Sequence, residues 1–148
     1  MKSKIVSSLI IIVTFGVALA RMANCSKKVI LHWDISGNLT SQGTENLIIL
    51  LPMISVIIFA IFKYYERNPY KLSTLPRIEE SESNTKMLVK HIKTMAMLTL
   101  LAMLYITMCS AKMADIRLLI IVPFLLLTMG YYAHTRKKIK AGFCAQAK

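Results

Sequence analysis

Four stretches of this chain contain no Asp, Glu, Lys, Arg or His: Ile5 to Ala20, Leu47 to Phe62, Met95 to Ala111 and Leu118 to Ala133. Each is close to the roughly 17 apolar residues that cross a bilayer at minimum. Flanking tyrosines (Tyr64, Tyr65) and snorkelling arginines (Arg21, Arg117) can lengthen them. Backbone in lipid must satisfy its own hydrogen bonds, so segments of this kind are helices rather than open strands. With 55% hydrophobic residues in 148 and a mean hydropathy of +0.54, a single water-soluble core would leave much apolar surface uncovered. The reading is an all-α integral membrane protein, a four-helix transmembrane bundle. Pro52 and Pro123 fall inside two of the spans and imply a kink or a helix start.

The net charge of +12 would suggest nucleic acid in a soluble protein, but the basic residues lie almost entirely between the apolar blocks. Fourteen fall on one side: Lys2 and Lys4, then Lys63, Arg67, Lys71, Arg77, Lys86, Lys90 and Lys93, then Arg136, Lys137, Lys138, Lys140 and Lys148. Five fall on the other: Arg21, Lys27, Lys28, Lys112 and Arg117. The richer side is expected to be cytoplasmic. Both termini then face the cytoplasm, the lipid bilayer replaces nucleic acid as the partner of the charge, and Tyr64, Tyr65, Tyr131 and Tyr132 form an inner aromatic belt. A second reading of the first stretch is a signal peptide, with Ala18-Leu19-Ala20 as the small-residue cleavage pattern; it leaves the orientation of the other three spans unchanged.

Three parts follow: a membrane unit of two helices and an outer loop over 1–65, a cytoplasmic connector over 66–93, and a helical hairpin with a basic tail over 94–148. The connector carries Asn68-Pro69, Leu75-Pro76 and the polar run Glu79 to Asn84, which read as turns. From about Thr85, the pattern Met87, Leu88, His91, Ile92 and Met95 forms an amphipathic lead-in to the third span. His91 and His134 fall at the inner ends of the third and fourth spans, an interfacial placement.

Chemistry-bearing residues gather in one place, the outer loop from Lys27 to Thr44. Val29 to Trp33 is β-prone. Ser36-Gly37-Asn38 reads as a turn in which Gly37 takes a positive φ. Asp34 is placed to accept from turn amides, and His32 to donate to Asp34 or to a backbone carbonyl. Two readings stay open: an interfacial cap with Trp33 at headgroup level, and a recognition surface made by His32, Trp33, Asp34, Gly37 and Asn38 for an extracytoplasmic ligand such as a peptide. His32 and Asp34 alone supply too few ligands for a metal.

The run His32-Trp33-Asp34, then Gly37 and Gly43, followed by Leu50-Leu51-Pro52, resembles a bacterial membrane domain of unknown function. That domain occurs in proteins similar to the sporulation-delay toxin immunity proteins. Its members typically show a Pro-x-His-Trp/Phe-Asn/Asp-x-x-Gly loop after the first helix and a proline in the second. The likeness covers residues 5 to 65. Ile30 stands where the family often has its proline, Thr40-Ser41 replaces its common Pro-Asp, and the chain is shorter than full-length immunity proteins. The resemblance implies a location in the bacterial inner membrane and an immunity-like or sensing role that signals inward, with a cytoplasmic regulator as a further partner.

The sequence has no paired nucleophile and base, no glycine-rich phosphate loop and no ionisable group at membrane depth. A non-enzyme without cofactor, catalytic residue or metal is expected. The alternative is a structural or accessory subunit of a larger membrane complex. Cys25, Cys109 and Cys144 have no metal-ligand spacing, although Cys109 falls near the outer end of its span, where an oxidising periplasm permits a disulfide with Cys25.

Overall fold

The computed structural model describes residues 2–23, 28–34, 36–72 and 79–146. Helix α1 (Lys2–Met22) leads to an antiparallel hairpin of β1 (Val29–Trp33) and β2 (Leu39–Gly43). A 3-10 turn at Glu45–Ile49 runs directly into α2 (Leu50–Arg67). A second 3-10 turn (Pro69–Lys71) precedes the long helices α3 (Glu82–Ser110) and α4 (Leu118–Gln146). The chain is therefore mostly helical but not all-α, because the loop after α1 pairs with itself. Its β-branched and aromatic first arm meets a second arm across the Gly37 turn, which the apolar blocks alone do not reveal.

Among the described residues, three helical stretches are long and apolar enough to cross a membrane: Ile5–Met22, Glu45–Arg67 and Glu82–Ser110. The packing of α1 and α2 is inverted relative to a water-soluble bundle. The positions α1 buries, Ser7, Ile10, Thr14, Ala18 and Arg21, recur every three or four residues, and Ile5, Leu9, Ile12 and Leu19 point outward. Helix α2 buries Pro52 and Ser55 and exposes Leu50, Met53, Ile54, Ile57 and Ile61. Small and hydroxylated side chains inside allow close backbone approach, and their hydroxyls are satisfied within their own helices. Thr14 donates to the Ile10 carbonyl at 2.7 Å, Ser55 to Leu51 at 2.9 Å and Thr107 to Met103 at 2.7 Å. This is the composition of helix interfaces in lipid, where large apolar residues gain nothing by turning inward.

Helix α3 is the axis on which α1 and α2 pack. It starts earlier than the apolar block, and the amphipathic lead-in is part of one continuous helix. Ser81 caps it by accepting from the Asn84 amide at 3.2 Å. Tyr70 pins this start to the end of α2, its hydroxyl donating to the Ser81 carbonyl at 3.1 Å and pairing with Thr85 Oγ1 at 2.8 Å. Glu66 of α2 pairs with Lys63 on its own helix and with Lys93 of α3 at 3.5 Å. Pro52 lies in the first turn of α2, where a missing N–H costs little, whereas Pro123 lies inside α4.

The chain turns from α3 to α4 through a left-handed residue. Lys112 has φ 58°, its amide donates to the Cys109 carbonyl at 3.0 Å, and the Met113 amide donates to Met108 at 2.9 Å. These two bonds satisfy the last carbonyls of α3 in a Schellman arrangement. Helix α4 then returns antiparallel and meets α3 at the far end, where Leu88 and Ile139 are buried together against Tyr70, Leu72, Met87 and Tyr132. The expected tight hairpin of these two helices is thus packed away from its turn. The apolar first half of α4 stands nearly free, with Leu119 84% and Met129 67% exposed.

Two ends result. At one, Ala18 of α1, Val29 of β1, Ile48 and Ala111 form a buried cluster that seats the hairpin on the helices. At the other lie the Glu66 pairings, the start of α3 and the second half of α4. The loops that charge counting assigns to one side are therefore together in the fold. Cys109 is fully buried with a free thiol, and Cys25, its expected partner, lies outside the described residues.

Candidate functional site

The hairpin turn is built by Asp34. Its amide donates to the Asn38 carbonyl at 2.9 Å and its carbonyl accepts from Gly37 at 3.0 Å. Its carboxylate accepts from the Asn38 amide at 2.7 Å and from the Asn38 side chain at 3.0 Å. Gly37 adopts φ 83°, a conformation that a side chain would strain. The tip also rests on the α3–α4 loop, since a Cβ at Gly37 would come within 3.2 Å of Ile116 Cγ2 and of its carbonyl oxygen. Asp34, Gly37 and Asn38 thus act as a single turn device.

His32 does not reach Asp34. Its Nδ1 pairs across the hairpin with Thr40 Oγ1 at 2.6 Å. The register shifts between Ile30 and His32 and again between His32 and Trp33, and each such irregularity re-aims a side chain. Ile30 and Trp33, three residues apart, therefore line one cleft while His32 stays exposed on the surface. Across the cleft stand Lys112, Asp115 and Ile116 of the α3–α4 loop. Tyr105 holds that loop, donating to the Asp115 carbonyl at 3.0 Å and accepting from the Arg117 amide at 3.2 Å.

The hydrogen bonds from the Asn38 side chain and backbone hold the Asp34 carboxyl below its ordinary value of 3.8. A carboxylate whose pKa is lower when folded stabilises the turn above that ordinary value, and the contribution disappears as pH falls through the lowered one. Acidification from about pH 5 to about pH 2 is expected to loosen the turn and shift the emission of the neighbouring Trp33, the single tryptophan. Asp34→Asn removes the titrating group, and the acid transition of that emission should vanish with it.

No protein-family model, curated protein or solved structure matches this chain.

Of the five residues singled out from sequence, the structure brings Trp33 and Gly37 to the cleft and gives Asp34 and Asn38 to the turn. His32 is fixed to Thr40 on the exposed surface. Leu39, Lys112, Asp115 and Ile116 escaped sequence reading, although the charge count had already put both outer loops on one side. The cleft offers apolar walls, one lysine and one carboxylate. Among the described residues, no three His, Cys, Asp or Glu side chains are grouped to hold a metal ion.

Proposed function

We propose that this chain is a multi-pass protein of the bacterial cytoplasmic membrane that recognises a peptide on the outer face. In this reading all four helices cross the bilayer, both termini are cytoplasmic and α1 is retained. The inverted burial of α1 and α2 supports insertion, and the unpacked apolar half of α4 extends the same argument to the fourth span. Burial of Ala18, which lies in the sequence that would be a cleavage motif, supports retention of α1.

The observation that carries the recognition reading is the Trp33 cleft, which two separate loops build at the end poorer in Lys and Arg. A half-buried tryptophan beside apolar walls and charges of both signs suits a short amphipathic peptide. Among the described residues no third strand pairs with the hairpin, so an extended segment can add one at an edge. The resemblance of the His-Trp-Asp loop to immunity-like membrane domains supports a toxin-like peptide as ligand, with the basic inner end as the contact for a cytoplasmic regulator.

Two measurements test this. A membrane-impermeant maleimide applied to intact cells should label Cys25 and spare Cys144; the reverse pattern inverts the topology and ends the outer-face reading. The double variant His32→Ala, Trp33→Ala should lower protection against an extracytoplasmic toxic peptide by at least about tenfold, in line with removal of a buried aromatic anchor, at unchanged membrane level. Full protection by the variant rules out the hairpin as the site. The alternative, an accessory subunit of a larger complex, draws on the bare apolar face of α4. Purification in mild detergent with a stoichiometric membrane partner would favour it.

A further inference from the structure

Helices α1 and α2 both pack on α3, and α4 reaches α3 at the basic end. Between α2 and α4 there is consequently a crevice of about 370 Å³ that no described element fills. Phe62 and Tyr65 of α2, His91, Ile92 and Met95 of α3, and Tyr132 of α4 line it. The walls are almost wholly apolar, and the one strongly polar group among them is imidazole. His91 is 3% exposed, its ring stacks on Tyr131 with centroids 5.4 Å apart, and its Nδ1 has no hydrogen-bond partner among the described residues. A buried polar nitrogen left unpaired costs about 1–3 kcal/mol, so this position calls for an acceptor or donor from outside the helices.

We propose that the crevice holds one anionic phospholipid of the inner leaflet. This rests on the reading that the bundle spans a bilayer. An acyl chain lies against Phe62, Ile92 and Met95, and the ester carbonyl accepts a hydrogen bond from His91 Nδ1. Depth and charge select this occupant. His91 lies four residues before the apolar block that begins at Met95, at the level of three tyrosines (Tyr65, Tyr131, Tyr132), and such aromatic belts mark the headgroup boundary where ester carbonyls lie. The same end carries Lys63, Arg67, Lys71, Lys86, Lys90, Lys93, Arg136, Lys137 and Lys138 against the half-buried carboxylate Glu66 and the exposed Glu79, Glu80 and Glu82. Basic pockets between helices on the cytoplasmic side favour anionic headgroups over zwitterionic ones. The site is separate from the Trp33 cleft, at the opposite end of the bundle.

The test reconstitutes the full chain into nanodiscs of equimolar phosphatidylglycerol and phosphatidylcholine, transfers it to mild detergent and weighs retained lipid by native mass spectrometry. One phosphatidylglycerol is expected on the wild type, in at least about tenfold excess over phosphatidylcholine (about 1.4 kcal/mol,). His91→Phe keeps an aromatic ring on Tyr131 but has no polar atom, and its retained lipid should fall by a similar factor. Met95→Trp, which leaves His91 in place and fills the crevice, should do the same and covers the case in which the first variant fails to fold. Equal retention by both variants and wild type, equal retention of the two lipids, or no lipid on protein recovered from the discs overturns the proposal. Failure of the chain to enter discs at all overturns the membrane reading instead, and this inference falls with it.

Discussion

Ile57→Asp is expected to keep α2 from inserting into the membrane. Ile57 lies near the middle of α2 and is 59% exposed. In a water-soluble protein, an exposed aliphatic side chain at such a site can be replaced by a carboxylate for about 0.5 kcal/mol or less. At the centre of a spanning helix, the same change costs about 3 kcal/mol of insertion free energy, a factor above about a hundred in the insertion equilibrium. One substitution therefore separates the two environments by more than the error of either measurement. Insertion is read by glycosylation mapping of the α2 segment in a translocation assay, with Ser55→Ala, a buried change on the same helix, as the companion. An Ile57→Asp segment that inserts at wild-type level would remove α2 from the spanning set, and the four-span topology with it.

The second large effect is expected from Ala18→Phe. Ala18 is fully buried where α1 passes under the hairpin, against Val29, Ile48 and Ala111, with Val17, Met22, Ile49 and Leu51 around it. A methyl group fits there, and a phenyl ring must displace β1, the 3-10 turn or the end of α3. Overpacking of this kind costs about 1–3 kcal/mol. The damage should be local in a useful way, because this cluster is what fixes the height of the hairpin above the helices. The cleft should open, Trp33 emission should move to longer wavelength, and the melting midpoint should fall. Ala18→Gly, which removes contact without forcing anything apart, should leave the emission in place. Unchanged Trp33 emission in Ala18→Phe would mean that the hairpin is seated by something other than this cluster.

The contrast between α2 and the hairpin explains what could be read in advance. Periodicity and the absence of charge locate helices without reference to any partner, because the cost of an unpaired backbone in lipid, or of a charge within it, belongs to each residue separately. The apolar blocks therefore anticipated α1, α2 and the second half of α3, and the polar run before Thr85 contained the cap at Ser81. Turn chemistry is equally local. Gly37 had to take a positive φ, and Asp34 had to accept from the turn, because only those residue types satisfy four residues of reversing chain. Register is not local. His32 was expected to donate to Asp34 or to a backbone carbonyl, but two irregularities in the ladder rotate successive side chains out of simple alternation and hand His32 to Thr40. The partner strand Leu39 to Gly43 carries little β signal of its own and is a strand because β1 pairs with it.

The apolar helices and the turn were determined by the sequence itself, since hydropathy and φ preference are properties of residues and their near neighbours. Three things were decided only by tertiary structure. These are the meeting of the hairpin tip with Ile116, the burial of His91 against Tyr131, and the departure of α4 from α3 on the hairpin side. Each depends on where two distant segments come to rest, and that position is set by the summed packing of side chains along α1, α2 and α3, which no single residue encodes.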